Sequence, residues 1–175
     1  TRLASAETSD LSYESYIDSD KRIKCLYGYA AEKTGDHASA RKIFEDCIER
    51  WSDVYSMIWL AQMYESGSGV PADQAKAAAF MKQGAEQPDD AAYVSLARYH
   101  WGVALAEGRG VAPDLAQARH WLRRAAEGGQ EEALQYLAEL DQGQAEVEIG
   151  LPVSLADLVE DRAQAEAVGF LAEAP

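Results

Sequence analysis

No stretch of the 175-residue chain approaches the ~18 consecutive apolar residues that a membrane-spanning helix needs. Bases are scarce as well: 16 lysines and arginines stand against 30 aspartates and glutamates, a formal net charge of −14. Phosphate backbones and anionic lipid surfaces both reward lysine and arginine, so neither nucleic acid nor a membrane surface is the expected partner. Strand-like alternation is missing too; Val147-Glu148-Ile149 is too short to count. The three histidines, His37, His100 and His120, lack metal-ligand spacing with one another or with the two cysteines. No serine, cysteine or carboxylate pair forms a recognisable nucleophile or acid–base set. The expectation is a protein without catalytic activity, cofactor or metal.

Apolar residues make up 47% of the chain, enough for a core. Charge is uneven along it. Residues 1–20 carry five acids against Arg2, and residues 139–175 carry nine against Arg162, leaving 21–138 with a net of only −2. This reads as an acidic N-terminal segment (1–20), a nearly neutral folded body (21–140) and an acidic C-terminal tail (141–175).

The body repeats itself. Gly67-Ser68-Gly69-Val70-Pro71-Ala72-Asp73 lies 41 residues before Gly108-Arg109-Gly110-Val111-Ala112-Pro113-Asp114. The same offset pairs Ala77 with Ala118, Phe80 with Trp121 and Ala85-Glu86 with Ala126-Glu127. Within a unit, Met57, Leu60, Ala61 and Tyr64 fall on one helical face, as do Ala77, Phe80, Met81 and Ala85. Asp73 and Asp114 are placed to cap the second helix of each unit, and Ala61, Ala77, Gly102 and Ala118 are small enough for close helix approach. A shorter-turned unit precedes these, with helices over Lys24–Ala31 and Ala38–Arg50 around Gly35-Asp36. A lone helix over Glu131–Leu140 follows them. A period of this length built from helical hairpins predicts an all-α fold: a short right-handed α-solenoid of about three and a half hairpins. Ser154-Leu155-Ala156-Asp157 resembles a capping box, and with Leu155, Leu158 and Val159 it predicts a C-terminal amphipathic helix from about 154.

Leu60-Ala61-Gln62-Met63-Tyr64, Gly67-Ser68-Gly69-Val70, Asp73, Lys76-Ala77 and Ala85-Glu86 resemble the SEL-like repeat (SLR), a relative of the tetratricopeptide repeat. The second copy resembles it through Trp101-Gly102-Val103-Ala104-Leu105, Gly108-Arg109-Gly110-Val111, Asp114, Ala118 and Trp121. The first unit looks more like a plain tetratricopeptide repeat. The stretch Asp89–Glu107 exceeds the usual first helix, which implies an early start or an extra turn. The resemblance implies scaffold or adaptor work, often in bacterial envelopes.

Repeats of this kind bind along the face formed by their first helices. Off the packing stripe there lie Tyr55, Ile58 and Gln62 in one unit and Leu96, Tyr99 and Val103 in the next. These six are the candidate partner-binding residues, expected side by side on a concave surface; the alternative is that they pack on neighbouring hairpins or on the tail. Cys25 and Cys47 sit at similar heights on the two arms of the first hairpin, a position for a disulfide or for two buried thiols. A disulfide favours a periplasmic or secreted location over a cytoplasmic one. Ala4-Ser5-Ala6, in a chain beginning with threonine, resembles a signal-cleavage triplet and points the same way. The first reading is thus a protein–protein interaction scaffold in the bacterial envelope. An immunity protein against a secreted toxin and a regulatory subunit of an enzyme are the alternatives. The tail either docks on its own repeats or reaches a partner chain.

Overall fold

The computed structural model describes residues 13–148. The capping box at 154–157, the helix expected from about 154 and the triplet at 4–6 lie outside them. A short 3-10 turn over Tyr13–Tyr16 leads into α1 (Lys24–Thr34), α2 (His37–Trp51), α3 (Val54–Ser66), α4 (Gln74–Ala85), α5 (Val94–Glu107), α6 (Leu115–Glu127) and α7 (Glu131–Glu148). No strand occurs among the described residues. The chain divides into two compact units between Leu134 and Gln135, within α7.

In the first unit, α1/α2, α3/α4 and α5/α6 form three antiparallel hairpins, and α2 packs on α3 as α4 packs on α5. The all-α stack of helical hairpins expected from the repeat is what forms. Aspartate starts the helices: the carboxylates of Asp36, Asp53, Asp73 and Asp114 accept the amide hydrogens of Ser39, Ser56, Lys76 and Gln117. Each cap satisfies a donor that the helix itself leaves open, worth about 1 kcal/mol. The four small residues serve close packing: Ala61, Ala77 and Ala118 are fully buried, and a Cβ on Gly102 would sit 2.8 Å from Leu122 Cγ.

The hairpins are keyed together at their turns. Gly69 and Gly110, the second glycines of the two repeated turns, have φ of 66° and 68°. A methyl group on Gly69 would overlap His37, the first residue of α2, and one on Gly110 would overlap the backbone of Gln74, the first residue of α4. Each turn therefore rests on the start of the second helix in the preceding hairpin. Only glycine supplies both the left-handed backbone and the missing Cβ.

The extra residues before the third hairpin do not lengthen its first helix. They form a linker, Glu86–Tyr93, and α5 begins at Val94, as α3 begins at Val54. Arg98, 4% exposed, holds this linker: Nε donates to Ala85 O at 3.1 Å and a guanidinium NH2 to Gln87 O at 3.2 Å. Its ion pair with Asp89, at 2.6 Å, is shared by Arg124.

The first hairpin carries a different reinforcement. Cys25 and Cys47 are bonded to each other across α1 and α2, with Cα atoms 6.1 Å apart. Tyr13 and Ile17 pack on this bridge, and the fully buried Lys24 donates to Ile17 O at 2.7 Å while pairing with Asp46 beside the Trp51 ring. Residues 13–20, assigned by charge to a separate segment, thus lie against the repeats. Likewise α7 runs on through residue 140.

Candidate functional site

α3 is apolar on most of its circumference because it lies between two other hairpins. Val54, Met57, Ile58, Leu60, Ala61 and Met63 are buried, while half-buried Tyr55, Trp59 and Gln62 and exposed Ser66 form one stripe at i, i+4, i+7 and i+11. On α1, Tyr29 and Lys33 stand one turn apart on a corresponding stripe. Packing α1 beside α3 places the Tyr29 and Trp59 rings 4.8 Å apart at 57°. Trp59 continues to Tyr55 at 6.2 Å, and Tyr55 to Tyr93 at 5.2 Å. The result is a ladder of four tilted rings running across the first helices, from the first hairpin to the threshold of the third.

The rings hold one another in place. Burial raises the Tyr55 hydroxyl above its usual pKa, and the neighbouring Trp59 indole partly offsets the rise. Tyr93 adopts a left-handed backbone with φ of 65° while its side chain is 51% exposed. A bulky residue in that region is strained, and nothing in the linker's hydrogen bonding requires a phenol there. Lys33 Nζ lies 4.8 Å from the centre of the Trp59 ring and 5.5 Å from that of Tyr29. Beside them opens a groove of about 420 Å³ lined by Glu32, Lys33, Trp59, Gln62, Glu65 and Ser66, among others.

The six residues picked from sequence are therefore dispersed. Tyr55 and Gln62 belong to the ladder and its groove. Ile58, 4% exposed, lies in the core shared by the second and third hairpins, and Leu96 packs partly against the same core. Val103 is 6% exposed on α5. Tyr99 is half-buried, its ring beside His100 at 5.4 Å. Ile58 and Val103 are corrections: a first helix flanked by hairpins on both sides buries more than one stripe. Tyr29, Lys33, Trp59 and Tyr93 were missed. Trp59 was within reach, since counting four residues on from Tyr55 gives Trp59 and counting three gives Ile58.

Other candidates stay apart. Among the described residues no three metal-ligating side chains converge. His37 Nδ1 pairs with Glu32 at 2.6 Å. His100 is held below its ordinary pKa of 6.5 by burial and then by the Arg109 charge. The second glycines of the two repeated turns close on the preceding hairpin, Gly69 on His37 and Gly110 on Gln74. No helix among the described residues is long and apolar enough to cross a membrane.

Residues 54–89 and 95–130 match the family model of the Sel1 repeat, one match for each of the second and third hairpins. No curated protein sequence gives a significant match. The fold is similar to the crystal structure of a Sel1 repeat protein from Oxalobacter formigenes, with a TM-score of 0.60 and 18% identity, over 71% of this chain and 49% of that one. The chain spans about half the length of that relative, and the likeness at this identity is one of fold.

Proposed function

For a chain that carries Sel1 repeats at 54–89 and 95–130, we propose a non-catalytic protein-binding role in which the partner docks on the aromatic ladder of the first helices. Repeats of this type generally mediate protein–protein interaction. The observation that carries the choice of face is Tyr93: an exposed ring held on strained backbone, in line with Tyr55, Trp59 and Tyr29. Aromatic side chains give large contact area at low entropic cost, and they dominate binding hot spots. The buried Cys25–Cys47 bond supports an oxidising compartment, periplasmic or secreted, as the site of action. These two features together support the reading of an envelope scaffold.

Substitution of Tyr93 separates binding from folding. Tyr93→Gly removes the ring and relieves the backbone, so the fold should be unchanged or up to about 1 kcal/mol more stable. Capture of the native partner, quantified from the producing cell, should fall by at least about tenfold for Tyr93→Gly and for Trp59→Ala. Capture that survives both, in folded protein, would move the binding surface away from the first helices.

A further inference from the structure

Lys33 occupies an uncommon place for a lysine at the end of a helix. Its ammonium lies over two ring faces at once, 4.8 Å from the centre of Trp59 and 5.5 Å from that of Tyr29, both inside the ~6 Å range of a cation–π contact. The rings meet at 57°, so they form two walls of an open cage. The core beneath them, through Ala31, Leu60 and Met63, already joins α1 to α3 without Lys33. The side chain itself is exposed and the groove beside it is lined by Glu32 and Glu65. A flexible, exposed lysine is readily exchanged, and indole is the strongest of the aromatic cation acceptors.

We propose that the Tyr29–Trp59 pair is a cation subsite within the binding face, and that it receives an arginine or lysine side chain from a basic segment of the partner. Lys33 is the chain's own occupant, displaced toward the groove when the partner docks. The inference rests on the binding face proposed above and specifies its partner. Charge agrees with it: a chain of net −14 steers cationic segments toward itself at long range and repels acidic ones. Arginine suits the cage better than lysine, because its planar guanidinium stacks on a ring while keeping its donors free for carboxylates such as Glu65.

The test uses the full chain with ¹⁵N-labelled tryptophan and a tetra-arginine peptide, with tetra-citrulline as the uncharged match. Tetra-arginine should shift the Trp59 indole signal in a saturable way, and tetra-citrulline should bind at least about tenfold more weakly. Lys33→Ala removes the competing ammonium and should tighten tetra-arginine binding about threefold or more. Lys42→Ala, which removes the same charge from α2, controls for net charge and should change affinity by less than about twofold. Trp59→Phe should retain part of the binding that Trp59→Ala loses. Equal effects of Lys33→Ala and Lys42→Ala, or a Trp59 signal unmoved at saturation, overturn the subsite. If partner capture still falls with Tyr93→Gly in that case, the face stands and only the cation subsite is lost. If capture survives Tyr93→Gly and Trp59→Ala, the face fails and the subsite's role with it.

Discussion

Gly35 and Gly110 both hold positive φ, 87° and 68°, yet alanine at the two positions meets different surroundings. Around Gly35 a Cβ finds nothing within 4 Å, so only the left-handed backbone is penalised, by about 1 kcal/mol. At Gly110 the same methyl group also overlaps the backbone of Gln74, which has no side chain to swing aside. Gly110→Ala should therefore destabilise the protein by about 3 kcal/mol or more, against about 1 for Gly35→Ala, in denaturant unfolding followed by circular dichroism. Similar losses at both sites would show that the turn gives way more easily than its contacts suggest. Single residues were also where sequence reading was weakest. A helical stripe locates the buried side of α3 through Met57, Leu60 and Ala61, but Ile58 is equally buried because a second hairpin covers that flank. Periodicity carries no information about how many neighbours a helix has. Tyr93, in a non-repeating linker, had no periodicity to read.

At the level of elements, caps and breaks were legible and the linker was not. Asp73 and Asp114 cap their helices as their spacing requires. The length of Asp89–Glu107 revealed extra residues but not their use, because the decisive contact is a buried arginine binding backbone carbonyls. The ion pair of the same arginine with Asp89 predicts acid sensitivity. The hydrogen bond and charge of Arg98, then the charge of Arg124, hold Asp89 below its ordinary pKa of 3.8. A lowered folded-state value means that stability is present above about pH 3.8 and is lost as pH falls further, toward the folded value. His100 acts earlier: burial lowers its pKa, so the unfolded chain binds the proton more readily and stability declines as pH falls below about 6.5. Thermal midpoints measured from pH 8 to pH 2.5 should show both arms. His100→Gln should flatten the first and Asp89→Asn the second; unchanged profiles would mean that these groups do not feel their folded surroundings.

For the molecule as a whole, the first hairpin packs on one neighbouring hairpin among the described residues, and a stack stabilised by nearest neighbours is weakest where a unit has fewest of them. Here that hairpin is tied by the Cys25–Cys47 bond, by Lys24 reaching Ile17 O and by the 3-10 turn laid over it. The cysteine pair was legible from hairpin heights. Lys24 was not, since a lysine with no exposed surface contradicts every hydropathy rule until its partners are seen. Replacing both cysteines with serine should cost about 3 kcal/mol, given a sequence separation of 22 between the bonded positions. Mass measurement after alkylation without reductant should find no added label; two labelled thiols would remove both the bond and the main support for an oxidising compartment. The keyed turns carry a consequence for how such a chain can lengthen. Gly69 rests on His37 and Gly110 on Gln74, always the later hairpin on the earlier one, so the stack has a direction. A hairpin added at the C-terminal side must bring its own glycine but asks nothing new of its predecessor, whereas one inserted ahead of α1 would need a glycine turn that Gly35-Asp36 does not provide. A 41-residue unit thus carries in its own turn the glycine that seats it on the unit before it, so that copying the unit copies the joint.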